Sequence, residues 1–463
     1  MRNMLVKDIL NATNGNLLIG KLEDECINFS KDTRTINEGD VFVGIKGENF
    51  DGSLLYREAF EKGAKTCILQ DIEISNDDIK KYSDRNIIIV EDTLIAIGKI
   101  AEYKRNLYDI PVIAITGSVG KTSTKDIIAN VVSQKYNVLK TQGNLNNAIG
   151  LPFTILQLKD HDALVVEMGM NHFGEIDYLS NIAKPTIAVI TNIGTSHIGN
   201  LGSRENILKA KLEILNGMKD NGTIIINNDN DLLNKWNKTG IKYKKITYGI
   251  EEKSDIMAYD ISIEESYSKY NTIFDGDKYC IEVPVSGKHF IYNSLCSIAV
   301  GKALNIEMEL IKKGIKEFEL TRRRMDLQKI DNDITVINDS YNASYDSMKA
   351  ALEYLNEIKG NKKIAVLGDM LELGEYSERL HRLVGNEVSK NNIDLLIVVG
   401  ELAKKYIAEE AKENGMNPNN VYTCNNNEEA YKILKEKMEK NDIVLLKASN
   451  ALNLSEILEM LRK

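Results

Sequence analysis

Short apolar runs, each followed by a stretch whose apolar positions recur at helical spacing, repeat along most of the chain. From Asn28 to Val90 the β-rich runs Val41 to Ile45, Cys67 to Leu69 and Ile87 to Val90 alternate with a helix near Leu54 to Lys62, which predicts a small α/β domain. A helix from Thr93 to Leu107 follows. It stops ahead of Asp109-Ile110-Pro111, because proline lacks an amide hydrogen and its ring blocks the helical path. From Pro111 to Phe318 the strands Val112 to Thr116, Ala163 to Met168, Ile187 to Ile193 and Thr223 to Asn227 each precede a helical stretch. That order predicts a mostly parallel sheet, whose ligands gather beyond the carboxyl ends of the strands. Asp255 to Ser286 alternates like antiparallel strands, and a helix from Phe290 to Leu304 closes the domain. After Arg322-Arg323-Arg324 a third alternation sets strands Thr335 to Asn338, Lys363 to Leu367, Leu395 to Val399 and Ile443 to Leu446 between helices.

A length of 463 residues fits about three such domains, each able to bury a core. With 59 basic against 68 acidic side chains the formal charge is −9, which argues against nucleic acid as a partner. Five cysteines, Cys26, Cys67, Cys280, Cys296 and Cys424, stand without a C-x-x-C pair, as expected of reduced thiols in a cytoplasm and not of a zinc site. The stretch Met1 to Gly20 carries Arg2, Lys7 and Asp8 and no long apolar core, so neither a signal peptide nor a membrane span is expected.

The chemistry centres on Thr116-Gly117-Ser118-Val119-Gly120-Lys121-Thr122-Ser123, a turn between a strand and a helix. Its glycines let several amides face one anion and the helix adds its positive end, which makes it a phosphate-binding loop. Lys121 then reaches terminal phosphates and the Thr122 hydroxyl holds Mg²⁺. Ile115 stands where the usual loop has its first glycine, so this loop is two residues short. Glu167 and His197 also follow strands of that sheet, and with Thr122 they offer carboxylate, imidazole and hydroxyl to Mg²⁺. Asn144, Asn146 and Asn147 can read a sugar, a phosphate or an amide, although asparagine clusters are also common turn formers. His289 and Asn293 share a helix face that suits either a purine edge or a helix cap. Asn338-Asp339-Ser340-Tyr341-Asn342 and Gly368-Asp369-Met370-Leu371-Glu372-Leu373-Gly374 lie at ligand-facing corners of the third domain. Arg324 offers a cation to developing phosphate charge, or belongs to a solvated linker.

Taken together these segments resemble the Mur ligase family over nearly the whole chain. The shortened loop, Gly143 to Asn147, Glu167 to Ile176, Thr191-Asn192-Ile193-Gly194 with His197, Asp339 to Ala343 and Gly368 to Gly374 carry the likeness. So do Asp32-Thr33-Arg34, Gly39 to Val43 and Gly47-Glu48-Asn49-Phe50-Asp51-Gly52 near the start. Two departures stand out: Arg322-Arg323 precedes Arg324 where the family has proline-glycine, and Lys447-Ala448-Ser449-Asn450 replaces a lysine-glycine-serine-arginine pattern.

The resemblance implies an α/β protein of three domains. A UDP-sugar-binding domain would span 1–109, a central P-loop-type domain with a mostly parallel sheet 110–320, and a Rossmann-like domain 321–463, the last without a G-x-G-x-x-G. It implies an ATP- and Mg²⁺-dependent amide ligase of peptidoglycan synthesis. The enzyme would activate the carboxylate of UDP-N-acetylmuramoyl-tripeptide as an acyl phosphate and join it to D-alanyl-D-alanine, in the cytoplasm, as a monomer. Closure of the third domain over the second would shield that intermediate from water. Lys121, Glu167, His197 and Lys211 are then the catalytic residues, with Thr122, Glu167, His197 and a CO₂-modified Lys211 on the metal. The loop Gly117 to Ser123 with His289, Asn293, Arg324 and Asp339 takes the nucleotide. Asp32, Thr33, Arg34, Asn144, Asn146, Asn147, Asn171, His172, Tyr341 and Asn342 take the substrates. The competing readings are another ATP-dependent amide ligase of the Mur and folylpolyglutamate synthase superfamily, and a nucleotide-dependent regulatory switch or a binding protein without turnover.

Overall fold

The computed structural model describes residues 4–47, 49–264, 266–320 and 323–462. Arg2, Glu48 and Arg322, named above, lie outside the described residues. The chain separates into two compact units, one of Met1–Thr116, Lys135–Val189 and Leu212–Ile224, the other of Gly117–Gln134, Ile190–Lys211 and Ile225–Lys463.

In the first unit a five-stranded sheet runs in the order Asn16–Ile19, Asn86–Ile89, Thr66–Leu69, Val41–Val43, Phe29–Ser30. Asn16–Ile19 is antiparallel to its neighbour and the other pairings are parallel. Phe42, Tyr56, Phe60, Cys67, Leu69 and Ile87 pack into one core beneath it. The helix Thr93–Asn106 starts on Asp92, whose carboxylate accepts from the Ile95 amide at 2.9 Å, and it ends before Pro111 as expected. Beyond it Ala163–Glu167 lies between Val112–Thr116 and Val138–Lys140, parallel to both. Every residue of Val112–Thr116 and Ala163–Glu167 is buried, which is why both read as unbroken apolar runs.

The second unit holds the six-stranded sheet Asp326–Lys329, Thr335–Asn338, Ile443–Lys447, Lys363–Gly368, Leu395–Val399, Val421–Cys424. Its first strand is antiparallel and the rest are parallel. Val336, Ile364, Val366, Ile397, Val444 and Leu446 form its core. The alternating stretch resolves into three antiparallel strands, Tyr259–Ile263, Ser268–Phe274 and Asp277–Val283. The helix expected from Phe290 spans Lys288–Ala303.

Candidate active site

The phosphate loop belongs to the second unit and is stapled to the segment 191–196. Ser118 gives its amide hydrogen to the Asn192 carbonyl at 3.1 Å, and Val119 gives its own to Asn192 Oδ1 at 2.9 Å. The Val119 carbonyl accepts from Thr191 Oγ1 and Asn192 Nδ2, both at 2.9 Å. Ser118 Oγ accepts from the Gly194 amide at 2.9 Å. Two glycines make this possible. A side chain at Gly117 would put its Cβ 1.9 Å from Thr191 Oγ1, and Gly120 starts the helix Lys121–Ser133 with φ of 80°. Lys121 folds back over the turn, Nζ giving hydrogens to the carbonyls of Gly117 at 2.9 Å and Ser118 at 3.5 Å. Thr122 is buried one residue into the helix and Ser123 is half-buried beside it. An anion over this loop meets a helix N-terminus and an ammonium already turned toward it.

His197 follows the same segment in the left-handed region, with φ of 62°. Its Nδ1 shares a hydrogen with Glu372 Oε2 at 2.7 Å, so Nε2 is the ring's remaining ligating atom. Burial and the charge of Lys121 hold its pKa below the ordinary value, against the pull of Glu372. Lys211, on the helix Arg204–Leu212, is 2% exposed. Burial and again the charge of Lys121 push its ammonium well below the usual lysine range, which favours the neutral amine. Lys121 therefore acts on both His197 and Lys211.

The six-stranded sheet, called the third sheet below, presents its corner beside these. Asp339 pairs with Lys447 Nζ at 2.5 Å; this lysine is 2% exposed and also donates to the Asn342 carbonyl at 3.1 Å. The Arg324 guanidinium lies over the Tyr341 ring, 3.9 Å from its centre. Asn293 Oδ1 accepts from Thr124 Oγ1 at 2.9 Å, which ties that helix to the one after the phosphate loop. His289 is half-buried, its enclosed Nε2 meets no partner among the described residues, and desolvation of the ring pushes its pKa down to about 4. The segments 194–202 and 346–376 are also bonded. Asp346 Oδ2 accepts from the Thr195 amide at 2.6 Å and its hydroxyl at 2.7 Å, and Tyr376 donates to the Gly202 carbonyl.

In the first unit Glu167, at the end of its strand, accepts from Asn146 Nδ2 at 2.7 Å. Asn147 Oδ1 accepts from the Gly150 amide, at the first residue of the helix Gly150–Leu156, at 2.8 Å, and the Asn144 carbonyl accepts from the Asn146 amide at 2.7 Å. Asn171 and His172 are exposed, the Asn171 amide reaching Glu175 at 2.7 Å. Asp32 pairs with Arg34 at 2.7 Å, and that hydrogen bonding holds its carboxyl down at about 2. Thr33 is buried and gives its hydroxyl hydrogen to Glu58 at 2.8 Å.

The four residues expected on the metal fall in both units, Thr122, His197 and Lys211 in the second and Glu167 in the first. No group of three or more His, Cys, Asp and Glu suited to a metal exists among the described residues. The residues that spacing alone does not single out are Asn192, Glu372, Asp346 and Lys447. Each acts through a partner far away in sequence.

Residues 115–301 match the Mur ligase middle domain and residues 323–450 the Mur ligase glutamate ligase domain. The chain is 38% identical over 457 residues to the UDP-N-acetylmuramoyl-tripeptide–D-alanyl-D-alanine ligase of Bacillus subtilis (strain 168), a match covering 98% of this chain and 97% of that one. Among solved structures it is similar to crystal structure I of MurF from Acinetobacter baumannii, with a TM-score of 0.89 at 28% identity, covering 100% of this chain and 99% of the other. It is also similar to the MurF ligase of Thermotoga maritima in complex with ADP, with a TM-score of 0.82 at 28% identity over 94% of this chain and 97% of the other. With these likenesses running through the phosphate loop, the strand ends that staple it and the third sheet, the chain belongs to the Mur ligase family.

Proposed function

We propose that this chain joins the amine of D-alanyl-D-alanine to the terminal carboxylate of UDP-N-acetylmuramoyl-tripeptide at the expense of ATP, giving the UDP-linked pentapeptide of peptidoglycan synthesis. The observation that carries this reading is a match over 98% of the chain to a ligase of that name. A carboxylate resists attack by an amine, so ATP first converts it to an acyl phosphate, and the amine then displaces phosphate. Lys121 and the loop amides hold the charge of the transferring phosphoryl group, and Arg324 approaches it from the third sheet. Glu372 fixes the His197 ring through Nδ1.

Mg²⁺, when bound, supplies further neutralisation, with Thr122, Glu167, His197 and Lys211 as the side chains to hold it. An ammonium at Lys211 repels such a cation. The buried, neutral amine is the form that adds CO₂, releasing a proton and leaving a carbamate whose two oxygens suit magnesium. Asp32, Thr33 and Arg34 take the UDP-sugar, and Asn144, Asn146, Asn147, Asn171, His172, Tyr341 and Asn342 take the peptide parts. His289, Asn293 and Asp339 serve the nucleotide. No helix among the described residues is long and apolar enough to cross a membrane. The reading puts the protein in the cytoplasm, where ATP is at hand. The reading is of a monomer.

The test is phosphate release from ATP with each substrate omitted in turn. Release that requires both the UDP-tripeptide and the dipeptide, with a product heavier by the dipeptide less one water, is expected. Release with neither acceptor, or with a folate-type acceptor in their place, would sink the reading.

A further inference from the structure

The segment Gly368 to Gly374 leaves the strand Lys363–Gly368 and returns through the turn Gly374–Tyr376 to the helix Ser377–Lys390. Midway along it Glu372 has φ of 62°, a region that a residue with a side chain occupies only where its surroundings hold it there. Part of that hold comes from His381, which is fully buried within the helix. Its Nε2 accepts the amide hydrogen of Met370 at 3.0 Å, and its Nδ1 donates to the carbonyl of Ser377 at 2.7 Å. An Nε2 that accepts carries no hydrogen, so the two bonds together define a neutral ring protonated on Nδ1. One ring thus joins the residue two before Glu372 to the residue five after it.

Other ties of the segment are made elsewhere. The Leu371 amide donates to Ser449 Oγ at 2.9 Å, Asp369 Oδ1 accepts from the Ala403 amide at 2.7 Å, the Asp369 carbonyl accepts from the Ser449 amide at 3.1 Å, and the Glu372 carbonyl accepts from the Gly199 amide at 3.3 Å. Without His381 the segment keeps those ties, but the buried Met370 amide loses its acceptor and the path into Glu372 loses one of its holds.

We propose that His381 is a positioning residue for the ligation: it sets where Glu372 stands, and through the 2.7 Å contact of Glu372 with His197 it sets the orientation of that imidazole beside Lys121. The inference rests on the ligase reading above. The buried His381 ring is taken up by the Met370 amide and the Ser377 carbonyl, so its contribution lies in preorganising Glu372 and, through it, His197.

Three variants separate the two bonds. Gln brings an oxygen to the place of Nε2, Asn reaches only the Ser377 carbonyl, and Leu reaches neither. In H381N and H381L, kcat should fall by about tenfold or more while KM for both substrates stays within about threefold, because the substrate-holding residues are left in place. H381Q should recover to within about threefold of the parent. Amide exchange at Met370, followed by NMR, should accelerate in H381N and not in H381Q. If Leu at this position prevents folding, the Asn and Gln variants carry the comparison. A parental kcat in H381N, or equal losses in H381N and H381Q, would overturn the proposal. A parent protein with no ligation at all would instead overturn the functional reading, while Met370 exchange would still test the hold of the ring.

Discussion

Gly117→Ala is a demanding test of the phosphate loop, because the structure gives the obstacle in ångströms. The new methyl carbon would stand 1.9 Å from Thr191 Oγ1, 3.1 Å from Thr191 Cβ and 3.3 Å from the Asn192 nitrogen. Carbon and oxygen need roughly 3.3 Å, so the first contact must open by about 1.4 Å. Rotating the Thr191 hydroxyl away breaks its 2.9 Å bond to the Val119 carbonyl, a loss of about 1 kcal/mol. That carbonyl keeps Asn192 Nδ2, so it is not orphaned. The contacts with Thr191 Cβ and the Asn192 backbone persist after rotation, and such overpacking costs about 1–3 kcal/mol. The sum, about 2–4 kcal/mol, should appear as a lowered urea midpoint. Affinity for a non-hydrolysable ATP analogue should weaken by about tenfold or more, since the loop amides are displaced with Val119. Adding Thr191→Ala removes the 1.9 Å contact and leaves the others, so the double variant should regain part of both losses. Parental stability and nucleotide affinity in the single variant would refute the stapling of the loop to Thr191 and Asn192.

Lys121→Ala should leave the urea midpoint near the parent's and abolish turnover; a loss smaller than about tenfold would show that Lys121 does not serve the phosphates. For Lys211 the folded-state pKa lies well below its unfolded value, so between the two the unfolded chain binds more protons and stability rises with pH up to about 10.4. Lys211→Met should flatten that rise in CO₂-free buffer, and the parent under ¹³CO₂ should give a carbamate carbon signal that the variant lacks. An unchanged pH slope would contradict the buried neutral amine. Lys447→Met removes one partner of a buried ion pair and leaves Asp339 behind, which should cost about 3–5 kcal/mol in denaturant titration. A loss under about 1 kcal/mol would mean that the pair is open to water.

The fold was legible wherever burial on both faces writes an unbroken apolar run, as in Val112–Thr116, Ala163–Glu167 and Leu395–Val399. Val138–Lys140, Val421–Cys424 and Asp326–Lys329 escaped notice. They are short, and Leu139 and Cys424 are the only buried residues in the three, so no apolar run marks them. The phosphate loop was legible because its chemistry is contiguous: the glycines, lysine and threonine that make it are neighbours in sequence. The pairing of His197 with Glu372 spans 175 residues, and that of Lys447 with Asp339 spans 108. Nothing in local spacing links such partners. His381 was invisible for another reason, since a lone histidine on a helix carries no sign of which backbone groups its ring will meet.

The corner around Asp339 has a consequence for how such sequences drift. Arg323 Nη2 donates to the Ser340 carbonyl at 3.2 Å and lies 3.4 Å from Asn450 Oδ1. These are two positions at which the chain departs from its family's pattern, one gaining a guanidinium and the other lacking one. The two departures therefore meet at one place, although 127 residues separate them in sequence. The clamp of Lys447 on Asp339 and Asn342 does not involve either side chain, so the turn beneath does not depend on which of the two positions carries the cation. Lineages in which position 450 is asparagine should therefore hold arginine at 323, and those with arginine at 450 should be free to keep a small residue there.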